Sequence, residues 1–362
     1  LVKNQLLNIT MSKQNLLLIA LLLTGFFNSN SQHTTLHLDP SIKFQAIRSI
    51  GGNYCNANYT PHAYDSIGDY TLHEFKPSHV RVALPLKIKN KSFKEYRGNK
   101  YLKQYIVIEV LEELQKMKFK YGVNNITVSA WDVPDEWVEN PEQTEQRTIK
   151  KESYTDVIET ITNFLLHAKK TYGVEVDHFS FNEADGGYQI LFTPQQATAF
   201  IKQAGARFKK AGLKTTFLLG DTSKTEGTVE YISAIVSDPQ VLPYLGPISF
   251  HAWWSEQMPD SEFERVAMLG KKLNKEIWCG ELGFDAMAWK QKGSSQNWDF
   301  ALRFAKISMR MFKYSQTVVS LYWTWQNNYA IMSADTKTKY PSYYVTKQQV
   351  NYFNRNAQLV QC

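Results

Sequence analysis

The sequence predicts an α/β chain closed into a (β/α)8 (TIM) barrel. Three observations carry that expectation. Eight short β-like runs recur between about Lys43 and Trp323. Amphipathic helical segments separate most of them, which argues for a parallel sheet with right-handed crossovers, and eight such units suit closure. The glycine-rich "SIGGN" (residues 49–53) is not followed by a Gly-x-Gly-x-x-Gly pattern, so an open doubly wound sheet is disfavoured.

The elements follow in chain order. The first strand is expected over Phe44–Ile50, ending at Gly51, Gly52 and Asn53, and the second over His79–Leu84. "QYIVIEVLEELQKMKFKYG" reads as the helix that follows. Ile126–Ala130 is the third strand, with "WDVPDEW" as its exit loop. In "YTDVIETITNFLLHAKKTYG", Val157, Ile158, Ile161, Phe164 and Leu165 make a helical stripe, and Gly173 stands where a C-cap is expected. His178–Phe181 is the fourth strand. Thr193 and Pro194 mark the N-cap and first turn of the next helix. Strands at Thr215–Leu219, Ile248–His251, Glu276–Cys279 and Val318–Trp323 complete the set, with "VEYISAIVSD", "SEFERVAMLGKKLN" and "NWDFALRFAKISMRMFKYS" as helices among them.

The bulk composition narrows the class. A chain of 362 residues is long enough for one large barrel, and nine Trp within 14% aromatics call for flat rings that meet a ligand. From Met11, one Lys, an apolar run over Leu16–Phe27 and small polar residues form a secretory signal pattern, too short to span a membrane. Residues 1–31 are expected to be upstream sequence and leader, and 32–362 the barrel. The product is then secreted or periplasmic, with no stable membrane insertion. The formal charge is +7, and the densest basic run is "KIKNKSFKEYRGNKYLKQY" (residues 87–105). It reads as a solvated face, with a weaker hint of an acidic glycan partner. Nucleic acid is not expected, because no recognition motif accompanies the charge. Cys55, Cys279 and Cys362 form neither a disulfide framework nor a metal-ligand spacing, so no metal and no cofactor are expected.

Barrel chemistry sits where the strands end. These ends offer Asn53 on the first strand, Arg81 on the second, Trp131 on the third, Asn182 and Glu183 on the fourth, and Asp221 on the fifth. The sixth offers His251 and Trp253, the seventh Glu281 and the eighth Trp323. Two carboxylates on facing strands are the minimum kit for glycoside hydrolysis, and flat rings around them suit sugar faces. A carbohydrate-binding barrel without catalysis would use the same tryptophans, yet has no reason to keep the carboxylate pair. A transglycosylase would share every residue.

These motifs resemble clan A of the glycoside hydrolases. "FSFNEADGG" is similar to that clan's acid/base strand, "IWCGELGFD" to its nucleophile strand, and "ISFHAWW" and "SLYWTW" to its sixth and eighth strands. "SAWDVPDEW" and "YPSYYVTKQQVNYF" resemble segments of family 30, with families 39 and 5 as the alternatives. The resemblance implies a retaining β-glycosidase with Glu183 as general acid/base and Glu281 as nucleophile. It implies that Asn182 contacts the sugar 2-hydroxyl, that Arg81 and His251 hold Glu281 ionised, and that Trp323 floors the subsite. Trp131, Trp253, Asp221 and Asn53 are further candidates to bind substrate. Two features depart from the pattern. Ala184 and Asp185 stand where the clan often has Pro, and the chain leaves little room for the β-sandwich usual in family 30.

Overall fold

The computed structural model describes residues 35–55, 66–291, 293–325, 329–353 and 356–361. The expected leader and Cys362 lie outside them. After β1 (Asp39–Ile47), the barrel strands are β2 (Ser49–Asn53), β3 (His79–Ala83), β4 (Asn125–Ala130), β5 (His178–Phe181), β6 (Thr216–Thr222), β7 (Leu245–His251), β8 (Ile277–Leu282) and β9 (Val319–Tyr322). All eight pair in parallel in chain order, and β9 returns to β2 with Ser49 opposite Val319. The expected closed barrel is therefore what forms, within the compact unit Lys43–Leu359.

Helices α1 (Ser66–Phe75), α2 (Tyr105–Phe119), α3 (Tyr154–Thr171), α4 (Pro194–Lys210), α5 (Thr228–Val236), α6 (Asp260–Leu273) and α7 (Trp298–Ser315) alternate with the strands, and α8 (Pro341–Tyr352) follows β9. The stripe expected on α3 is buried at all five positions. Thr193 caps α4 in a reciprocal capping box with Gln196, and Gly173 takes positive φ just past α3.

The first strand differs from expectation. Residues 39–47 pair instead with β10 (Ala357–Gln361) in a separate two-stranded sheet, and the barrel strand starts at Ser49. Gly51 and Gly52 lie inside that strand rather than ending it. A Cβ on Gly51 would stand 2.0 Å from the His79 carbonyl, and one on Gly52 would stand 2.2 Å from the Trp325 ring. These glycines answer close neighbours, not a turn. Three other strands run further than their hydrophobic runs. β6 continues through Asp221, β7 begins at Leu245, and β8 continues through Glu281. Register shifts at Gly220/Thr222, Phe250/His251 and Cys279/Leu282 bend these ends. Such irregularities re-aim side chains next to functional sites.

The opposite end of the barrel is closed by aromatic packing. Trp278 meets His79 and His178 edge-on, with centroids 5.1 and 4.9 Å away. Burial pushes those imidazoles down to about 4 and about 3, so they sit neutral in an apolar floor. No helix among the described residues is long and apolar enough to cross a membrane.

Candidate active site

The C-terminal strand ends open into a cavity of about 650 Å³. Glu183, Glu281, Asn182, Trp131, Trp253 and Trp323 line it, all of them expected at the mouth. One carboxylate oxygen of Glu183, one of Glu281 and a ring nitrogen of His251 all lie within 4.8 Å of one another.

Beneath them is a buried polar layer built on Arg81, whose side chain is fully enclosed. All five of its N–H groups are engaged. Nε donates to Ser129 Oγ (2.8 Å). One terminal nitrogen donates to Asn53 Oδ1 (3.0 Å) and Glu281 Oε1 (2.8 Å). The other donates to Asn182 Oδ1 (2.6 Å) and Asp221 Oδ2 (2.8 Å). The guanidinium also lies over the Trp131 ring, 4.7 Å from its centroid. Ser180 Oγ donates to Asp221 at 2.6 Å, and Ser129 and Ser180 hydroxyls are 2.6 Å apart. With Ser129 Oγ accepting from Arg81 and Ser180 donating onward, Ser129 must donate to Ser180, so the chain of donors runs Arg81, Ser129, Ser180, Asp221.

His251 has one ring nitrogen 2.9 Å from Glu183 Oε1 and 3.4 Å from Glu281 Oε2, and the other 3.3 Å from Asp221 Oδ1. Where the carboxylates on both sides are ionised, both ring nitrogens donate and the ring carries a positive charge. Burial works against that charge. The carboxylates of Glu281, Asp221 and Glu183 outweigh it and push the pKa up to about 10. Burial likewise opposes charge on Asp221, yet Arg81 and His251 hold its carboxyl well below the usual range.

Glu281 differs from the expectation of a plainly ionised group. Burial raises its carboxyl, and the neighbouring Glu183 adds to this, while His251, Arg81 and Trp253 act against it. Both its oxygens nevertheless have an N–H donor, from Arg81 and from Trp253 Nε1 at 3.0 Å. Trp253 reaches Glu281 across Gly283, where a Cβ would stand 2.2 Å from the indole. Gly283→Ala is therefore expected to push the ring off Glu281 and cost ~1–3 kcal/mol of stability, measured by urea unfolding. A midpoint unchanged from the parent would contradict that packing.

Four residues expected to bind substrate lie below the mouth. Arg81, His251, Asp221 and Asn53 are fully buried and do not line the cavity. Arg81 and His251 contact the cavity-lining Glu281, Asn182 and Glu183, while Asn53 and Asp221 contact Arg81. Trp325 is buried and stacks on Tyr322, whereas Trp323 faces the cavity beside Trp131 with centroids 6.0 Å apart. Trp137 packs on Phe93, away from the site. Tyr54 is loop packing, and its hydroxyl meets Thr71. None of residues 87–105 lines the cavity, and Lys87 is engaged by Asp135 and Asp132. Cys55 and Cys279 are buried free thiols.

Sequence reasoning missed Glu145, Tyr188, Ser223, Met287 and Tyr329 in the cavity wall, and did not single out Trp254. All come from loops, where periodicity says nothing. Glu183, His251 and Glu281 are also the group with cation-ligand spacing among the described residues. In this structure the three are engaged with one another, and Arg81 already supplies positive charge to Glu281.

No family model matches the chain, and no curated protein matches it. Solved structures do, and they show the barrel fold found in glycoside hydrolase families 30 and 39. SrfJ from Salmonella typhimurium superposes with TM-score 0.70 at 17% identity, over 90% of this chain and 79% of its own. The family 30 subfamily 8 xylanase Xyn30A from Clostridium acetobutylicum gives 0.66 at 17%, over 87% and 74%. A family 39 β-xylosidase from Caulobacter crescentus gives 0.58 at 11%, over 90% and 76%.

Proposed function

We propose that this protein is an exported retaining glycoside hydrolase that cleaves β-linked glycans by double displacement. The observation that carries the reading is the Glu183–Glu281 pair, with oxygens within 4.8 Å across an aromatic-walled cavity. Retaining sites hold their carboxyl groups ~5–5.5 Å apart, whereas inverting sites need ~6.5–9.5 Å to admit a water. The names of the xylanases and xylosidase that share the fold support the same class. The leader-like run from Met11 supports export.

The chemistry follows from the layer below the mouth. In the first step a Glu281 oxygen attacks the anomeric carbon, the bond to the leaving oxygen breaks, and Glu183 protonates that oxygen. In the second, Glu183 takes a proton from water, whose oxygen attacks the same carbon and releases Glu281. Arg81 and Trp253 aim the nucleophile. Arg81 also fixes Asn182 by its Oδ1, which turns the Asn182 amide nitrogen to the cavity as a donor for the sugar 2-hydroxyl. The imidazolium of His251 touches both carboxylates and fixes their spacing.

A pH profile checks the electrostatics. Turnover needs Glu281 ionised, and its carboxyl is raised, so activity should fall on acidification above the ordinary Glu value of 4.5. An acidic limb at or below 4.5 would contradict a raised Glu281 carboxyl. The direct test of the class is release of reducing ends from a panel of neutral and acidic β-glycans. No release from any of them, with binding intact, would point to a carbohydrate-binding barrel instead.

A further inference from the structure

The cavity wall has a charge pattern that the catalytic scheme does not require. Among the described residues that line it, the charged side chains are Glu145, Glu183 and Glu281, and none is cationic. The two cations below are enclosed and engaged. Arg81 has an acceptor on every N–H, and both nitrogens of His251 face carboxylates. An anionic sugar entering here would meet the carboxyl groups of Glu145, Glu183 and Glu281 and no free cationic donor. Losing its water without a charged partner is costly. A neutral sugar meets acceptors for its hydroxyls and six aromatic side chains for its ring faces: Trp131, Trp253, Trp254, Trp323, Tyr188 and Tyr329.

Glu145 is the acid in this wall with no role in the two displacement steps. It is solvent-exposed, but its backbone is not loose. The next residue, Gln146, donates its N–H to Gly187 O (2.8 Å), and Arg147 N–H donates to Gln189 O (2.7 Å). The Arg147 side chain is buried and ion-paired with Asp132 and Asp135. Glu145 is thus tied to the turn that runs straight on from Glu183, with Gly187 and Tyr188. The residue that protonates the leaving oxygen faces the leaving group, so this wall is the leaving-group side.

Resting on the hydrolase reading above, we propose that the leaving-group side of the cavity selects its sugar by charge: it admits neutral rings and refuses uronate- or sulfate-bearing ones, with Glu145 as a specificity-determining residue. This runs against the acidic partner hinted at by the basic run at 87–105, which stands outside the cavity wall.

The test uses two β-linked oligosaccharides built on the backbone that the glycan panel returns. They differ only at C6 of the leaving-group sugar, hydroxymethyl in one and carboxylate in the other. For the whole chain at low salt, kcat/KM should favour the neutral member by ~10-fold or more. In Glu145→Gln that ratio should shrink roughly two- to fivefold, as it should in the parent at high salt, because Glu145 is exposed. Equal or faster cleavage of the uronate overturns the proposal, as does a ratio that Glu145→Gln leaves untouched. Cleavage of neither member counts against the hydrolase reading alone. Charge selection is then read from tryptophan quenching by the same pair, where tighter binding of the uronate overturns it.

Discussion

Replacing Glu281 by Gln is expected to lower turnover by at least ~10⁴-fold while leaving glycan affinity within a few-fold. The amide keeps the shape of the carboxylate and removes the nucleophile. It keeps one acceptor for Arg81 or for Trp253, so the ring stack around the sugar stays in place. Kcat and Kd should therefore separate. Steady-state kinetics beside tryptophan-quenching titrations measure both. Loss of binding in step with turnover would mean that Glu281 holds the substrate rather than attacks it.

Arg81→Leu is expected to be the most destabilising single change in the site, at ~3–5 kcal/mol. It strands two enclosed carboxylates, Asp221 and Glu281, and leaves Asn53, Asn182 and Ser129 without their shared donor. Arg81→Lys should recover only part of that loss. An ammonium group has three donors where the guanidinium fork makes five contacts, and it does not lie flat on Trp131. Urea unfolding of the parent and both variants gives the comparison. A leucine variant as stable as the parent would mean that the buried charges are screened by something other than Arg81.

The barrel was legible because its signal is long-range and repetitive. Alternating strands and amphipathic helices survive an error of two or three residues at any one boundary. The stripe on α3 and the Thr193 cap came out as expected, since each depends on neighbours in sequence. The first strand misled for the opposite reason. Gly51 and Gly52 resemble a turn, and only the ring of Trp325 and the carbonyl of His79 explain them as strand residues. Glu183 and Glu281 were legible as acids at strand ends. The burial of Arg81, His251, Asp221 and Asn53 was not, because chain position does not tell a residue in the mouth from one beneath it. Glu145 and Tyr188 were invisible, since they join the cavity only through a loop clamped by Arg147.

Glu183 has φ 49°, and the N–H groups of Gly186 and Gly187 both donate to its carbonyl. Asp185 does not line the cavity and accepts from the backbone N–H and hydroxyl of Ser223, which does. Burial raises the Asp185 carboxyl, with Ser223 acting against it. Where the clan often uses Pro, this chain thus uses a carboxyl anchor between the exits of β5 and β6. The anchored turn presents Tyr188 and, through Gln146, the neighbouring Glu145 to the cavity.

The most direct test of the double-displacement reading is covalent trapping. A 2-deoxy-2-fluoro β-glycoside with a good leaving group, matched to the sugar found in the glycan screen, should inactivate the enzyme with time. Peptide mass spectrometry should then place one sugar on Glu281, and the Glu281→Gln variant should remain unlabelled. A label on another residue, or steady hydrolysis of the reagent with no adduct at all, would contradict the assignment of Glu281 as the nucleophile.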